Sequence, residues 1–143
     1  MPAINFFEED IAYKLKHKTA LRQWITNTID AEGFKLKELN YIFCSDSYLL
    51  QINQQYLNHD TYTDIVTFDN SDIDEVIVGD IFISIDRIRE NAVKFGITET
   101  DELHRVIIHG ALHLLGYKDK TAITKQKMTK KEDFYLNKRD FKN

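Results

Sequence analysis

The stretch Thr98-Glu99-Thr100-Asp101-Glu102-Leu103-His104-Arg105-Val106-Ile107-Ile108-His109-Gly110-Ala111-Leu112-His113-Leu114-Leu115-Gly116-Tyr117 reads as one amphipathic helix with both ends marked. Thr98 can accept a hydrogen bond from the first free backbone N–H groups, and Glu99, Asp101 and Glu102 put negative charge in the first turn, where the helix dipole favours it. Gly116 can end the helix. Leu103, Val106, Ile107, Gly110 and Leu114 fall on one side and predict its buried stripe. At ~100° per residue, His109 and His113 lie roughly 80 to 120° from the middle of that stripe. Two imidazoles therefore project side by side from the border of the buried face. His104 lies about 140° around the helix from His109 and cannot join them.

Around this helix the apolar pattern predicts strands at Ala3–Phe7, Asn40–Cys44, Ile65–Phe68 and Val76–Ile85. The last is long for a strand, and Gly79 within it marks either a bulge or a close backbone approach. Helical spacing appears at Thr19–Ala31, where Leu21, Trp24, Ile25, Thr28 and Ile29 share a face and Gly33 stands at the stop. A second helix is expected after the cap-like Ser45, carrying Leu49, Leu50, Ile52, Asn53 and Tyr56. A third runs from Asp86 toward Phe95 with Gly96 as its stop. The last helix, Ile123 to about Asn137, is lysine-rich and has Met128, Phe134, Tyr135 and Leu136 as packing candidates. No repeat, low-complexity tract or Pro/Ser-rich linker divides the chain. These elements predict one α+β domain over residues 1–143, a sheet of about four strands packed with about five helices, the helix that carries His109 and His113 lying against the sheet.

Composition narrows the class. One proline, five glycines, one cysteine and 12% aromatic residues among 143 argue against a disordered chain, a collagen-like chain and a disulfide scaffold. Cys44, in an apolar strand, is expected to be a buried, inert thiol. Met1 to Asp10 turns acidic after one short apolar run, unlike a signal peptide, so a cytoplasmic protein with no membrane partner is expected. The net charge of -4 lowers the prior for nucleic-acid binding, but it is unevenly spread. Residues 118–143 hold nine basic and four acidic side chains, leaving the preceding portion at -9. The basic end is either a solvated helix face or a surface for a polyanion.

His109 and His113 have the i, i+4 spacing that lets two ring nitrogens reach one metal ion. The break at Leu114-Leu115-Gly116-Tyr117-Lys118-Asp119 turns the chain, so Asp119 can return as a third ligand. Three protein ligands leave one position open, the mark of catalytic rather than structural zinc, because water can bind there and be acidified. The plain alternative is two imidazoles at the core edge making ordinary hydrogen bonds. His17 and His59 have no partner spacing.

The whole string His109-Gly110-Ala111-Leu112-His113-Leu114-Leu115-Gly116-Tyr117 resembles the signature H-G-x-L-H-L-x-G-Y of the YbeY family, bacterial endoribonucleases of ribosomal RNA maturation. Asn53-Gln54-Gln55-Tyr56, Thr63-Asp64-Ile65-Val66-Thr67-Phe68 and Gly79-Asp80-Ile81 look like the family's other recurrent blocks, in the same order. The resemblance spans about Ile52 to Lys120. It implies one zinc ion per chain and single-stranded RNA as substrate, with small-subunit ribosomal RNA 3' end maturation and ribosome quality control as the setting. This chain departs from the pattern twice. The family usually continues D-H after the tyrosine, with the histidine as third ligand; here Lys118 and Asp119 stand there. A carboxylate is an acceptable zinc ligand, although it makes the site harder and its metal preference more open. Leu57 stands where the family commonly has an arginine expected to contact phosphate, a role leucine cannot fill.

His109, His113 and Asp119 are accordingly the expected metal ligands and, through the metal, the catalytic residues. Lys118, Lys120, Lys125 and Lys127 follow the site directly and are candidates for guiding RNA. Asp80 is either a polar residue at a strand bulge or a group orienting a ligand; Tyr117 either lies against the site or packs; Thr63-Asp64 is either a turn and strand-start device or a catalytic acid. Two rivals stand beside the nuclease. One is a zinc-dependent peptide or amide hydrolase, against which Gly110 counts, since H-E-x-x-H enzymes carry their general base there. The other is a non-catalytic, metal-containing ribosome-assembly factor that binds RNA through its basic helix.

Overall fold

The computed structural model describes residues 3–57 and 62–141. Four strands, β1 (Ile4–Glu9), β2 (Lys35–Cys44), β3 (Ile65–Asp69) and β4 (Val76–Ser84), form one sheet in the order β1-β2-β4-β3. β1 and β4 run parallel to β2, and β3 runs antiparallel to β4. Five helices complete the α+β fold: α1 (Lys18–Ala31), α2 (Asp46–Leu57), α3 (Ile85–Phe95), α4 (Glu99–Leu114) and α5 (Ala122–Leu136).

Side chains alternate across a strand, so the register assigns the faces. Leu39, Tyr41 and Phe43 of β2 stand beside Gly79, Ile81 and Ile83 of β4 and are buried under the helices. α4 lies on this face, where the Tyr41 hydroxyl donates to the Ile107 carbonyl at 3.0 Å. Val66, Phe68 and Phe82 point the other way and pack with Cys44 under Leu49 of α2. Burial of the Cys44 thiol, reinforced by the acids Asp86 and Asp46, pushes its pKa up to about 12, which makes it inert at neutral pH.

α4 is buried more completely than a single stripe. Ile108, Ala111 and Leu112 are as enclosed as Leu103 and Ile107, because α3 and α5 flank the helix while the sheet supports it. Gly79 resolves as a close approach, since the β2–β4 register is regular through it and shifts only between Leu36 and Glu38. A Cβ there would lie 2.8 Å from the Phe68 carbonyl oxygen and 2.9 Å from Leu114 Cδ1. The absence of a side chain lets the last turn of α4 rest on the sheet.

Several boundaries differ from expectation. β2 begins at Lys35 rather than Asn40, because Lys35-Leu36-Lys37-Glu38 carries its charges on an exposed stretch and hides the apolar pattern. β1 extends to Glu9 for the same reason. Ile85 opens α3 instead of closing β4, since the Ser84 hydroxyl accepts from the Arg87 N–H at 3.2 Å and caps that helix. Thr98 caps α4 as expected, accepting from the Asp101 N–H at 3.0 Å.

Candidate metal centre

His109 and His113 stand one turn apart at the solvent edge of α4, with 19% and 29% of their side chains exposed. Gly116, with φ of 103°, terminates the helix and turns the chain, a conformation that favours glycine. The connection to α5 is then held at two points. The Tyr117 hydroxyl donates to Glu32 Oε1 at 2.6 Å, and Thr121 and Thr124 form a reciprocal capping box at the start of α5. Between these anchors, Asp119 Oδ2 comes to 3.4 Å from His109 Nε2 and 3.5 Å from His113 Nε2.

These separations fit a metal. Donors that bind one tetrahedral zinc ion at their usual bond lengths stand about 3.4 Å from one another. Ligand atoms of His109, His113 and Asp119 all lie within 4.8 Å of each other, and they form the one such group among the described residues. The set of two imidazoles and one carboxylate suits zinc and would leave one position of a tetrahedral ion for a further ligand.

Behind His109 lies a residue that sequence reasoning missed. Glu132 of α5 is buried, and its Oε2 is 2.6 Å from His109 Nδ1. A carboxylate on Nδ1 fixes the ring's orientation and keeps Nε2 facing the other two ligands. Arg105 holds Glu132 in turn, donating to Oε1 at 2.8 Å while its second nitrogen donates to Asp133 at 2.6 Å. An acid placed four residues after Met128, on the buried face of a predicted helix, was the available signal, because a buried acid demands a partner. Burial disfavours the His109 imidazolium, but the hydrogen bond and charge of Glu132, with Asp119 and Asp64 adding, raise its pKa above the ordinary value. Burial and the neighbouring His109 lower that of His113.

The remaining candidates separate. Asp80 faces away from α4 and accepts from Asn40 at 3.0 Å and Asn70 at 3.2 Å, so the carboxylate that reaches His109 is that of Glu132 instead. Tyr117 serves through Glu32, which also accepts from Lys131 at 3.0 Å and from the Tyr135 hydroxyl. The Asp64 carbonyl accepts from the Ser84 N–H at 2.9 Å, and Thr63 bonds to the Ile65 carbonyl, as a strand-start device would. The Asp64 carboxyl is nevertheless close enough to be felt at His109, and burial raises its pKa. Lys118, Lys120, Lys125 and Lys127 are all exposed, and Lys125 also lines a cavity of about 190 Å³ with His109, Asp119, Arg105 and Glu132. His104 is buried against Trp24 and Phe141, with its Nδ1 2.8 Å from Arg139. His59 lies outside the described residues. Among the described residues no helix is long and apolar enough to cross a membrane.

Known proteins share this arrangement of sequence and fold. The family model described as Endoribonuclease YbeY matches residues 3–140. A Cytophaga hutchinsonii protein named Endoribonuclease YbeY is 54% identical over 138 residues, 96% of each chain. A Bacteroides thetaiotaomicron protein of the same name is 49% identical over 118 residues, 82% of this chain and 85% of its own. The solution structure of a Thermotoga maritima protein superposes with a TM-score of 0.65 at 28% identity, covering 94% of this chain and 87% of that one.

Proposed function

The chain belongs to the YbeY family of endoribonucleases, and from that premise we propose that it is a metal-dependent endoribonuclease that cuts single-stranded RNA at the centre formed by His109, His113 and Asp119. The observation that carries this reading is the convergence of those three ligand atoms with Glu132 locked behind His109. Zinc, one per chain, is the metal the donor set favours. A divalent metal bound there supplies Lewis acidity toward a phosphate oxygen and acidifies water near neutral pH. The chain's own part is positional. Glu132 and Arg105 orient His109, the Glu32–Tyr117 bond holds the loop that presents Asp119, and the basic segment from Lys118 onward attracts the strand.

Peptide hydrolysis is the weaker reading, since Gly110 carries no base and is packed against Ile65 and Ile81. Small-subunit ribosomal RNA, in the cytoplasm, is the proposed target. The test incubates zinc-loaded protein and His113→Ala with a single-stranded RNA carrying a small-subunit precursor end. Cleavage by the parent and loss in the variant are expected. Equal cleavage by both overturns the metal mechanism; no cleavage by either, with RNA binding intact, assigns the chain to ribosome assembly instead.

A further inference from the structure

The basic segment holds several lysines, but their surroundings are unequal. Lys125, Met128, Thr129 and Glu132 are spaced three, four and seven residues apart on α5 and so share one helix face, the face that closes the cavity over His109 and Asp119. Lys127 is turned about 200° from Lys125, and Lys130 about 140°, so both point elsewhere. Lys131 is tied to Glu32 at 3.0 Å.

Two cations therefore line the cavity, Arg105 and Lys125. Arg105 is committed, with one nitrogen on Glu132 and the other on Asp133. Its charge and that of Glu132 cancel. Lys125 is exposed, and its ammonium makes no hydrogen bond or ion pair within the described residues. The first turn of α5, where it sits, carries no acidic residue, and the positive end of the helix dipole lies at the same place. The remaining acid of the cavity is Asp119, whose charge would be taken up by the ion, so the ammonium beside His109 and Asp119 is suited to an anion that reaches the metal and the lysine together. Leu57, where a cation would be expected from the family pattern, ends α2 as an exposed apolar side chain.

Resting on the nuclease reading above, we propose that Lys125 is the phosphate-binding residue of the centre, its ammonium donating to a non-bridging oxygen of the RNA phosphodiester that enters beside His109 and Asp119. The neighbouring lysines contribute only diffuse attraction.

The experiment measures binding of a cleavage-resistant 2'-O-methyl single-stranded RNA oligonucleotide to zinc-loaded protein across a salt series, comparing the parent with Lys125→Ala, Lys125→Arg and, as a control on the same helix, Lys130→Ala. Loss of one phosphate contact to a single strand reduces the slope of log K against log salt by about 0.7. Lys125→Ala is expected to show that reduction and about tenfold weaker binding, the scale of one charge-assisted hydrogen bond. Lys125→Arg should retain the parent slope, Lys130→Ala should leave it unchanged, and zinc affinity measured by chelator competition should match the parent in all three. An unchanged slope in Lys125→Ala, or an equal reduction in Lys130→Ala, overturns the assignment. If the parent fails to cut RNA while the Lys125→Ala slope still falls, the nuclease reading is lost and the phosphate site stands.

Discussion

A carboxylate in place of an imidazole tests how much of this centre depends on one side chain. In the proposed centre Asp119 would contribute both ligand geometry and the negative charge that offsets the ion, and an amide would keep the shape while losing the charge. Asp119→Asn is expected to weaken zinc binding by tenfold or more, on the order of the ligand and neighbour effects known for zinc sites, as read by chelator competition. Affinity equal to the parent's would place the third ligand elsewhere. Glu132→Gln is expected to cost about 10- to 100-fold in zinc affinity without touching the ion, because the His109 ring loses its charged anchor and Arg105 loses a partner. The convergence of His109, His113 and Asp119 was legible from the sequence because helix periodicity and one glycine turn relate them locally. Glu132 was not, because its relation to His109 exists only once α5 has folded back on α4.

Among the elements, the contact between α4 and β4 sets where the two histidines stand. Gly79 is the point of closest approach, and its neighbours on that side are the Phe68 carbonyl and Leu114, the residue after His113. Gly79→Ala must move either backbone or the last turn of α4. It is expected to destabilise the protein by about 1–3 kcal/mol in chemical denaturation, the usual range for overpacking. It should also weaken zinc binding, since the displaced turn carries His113. A loss of stability with unchanged zinc affinity would show that the strand, not the helix, had moved. The first four helices were readable from apolar spacing with a cap or a glycine stop and each strand core from its apolar run, whereas α5 was read without its Thr121 cap and with Phe134, which is exposed, among its packing residues. Strand order was not, because it depends on pairings such as Leu39 with Gly79, 40 residues apart, which leave no local mark. The early half of β2 escaped because its charged, exposed side chains resemble a loop.

Across the whole molecule, ionisable groups are concentrated around α4, and the three acids of its first turn have separate fates. Glu99 pairs with Arg89 at 3.2 Å at the surface and the half-buried Asp101 pairs with the enclosed Arg139 at 3.2 Å, but Glu102 turns inward and is buried. The dipole argument alone made all three equivalent. Burial, with Asp64 and Glu132 adding to it against the charge of Arg105, raises the Glu102 pKa from 4.5 to about 7. The folded state thus holds this proton more tightly than the unfolded chain. Its contribution to stability is fully present below pH ~4.5, is lost progressively as the pH rises, and is gone above pH ~7. Glu102→Gln keeps a neutral, hydrogen-bonding side chain at all pH values and removes that dependence. The variant and parent should therefore melt at similar temperatures near pH 5, with the variant melting higher by a margin that grows to pH 8 and then levels. A margin constant from pH 5 to pH 8 would mean that Glu102 ionises alike in both states. The acids around α4 would then owe their burial to packing alone.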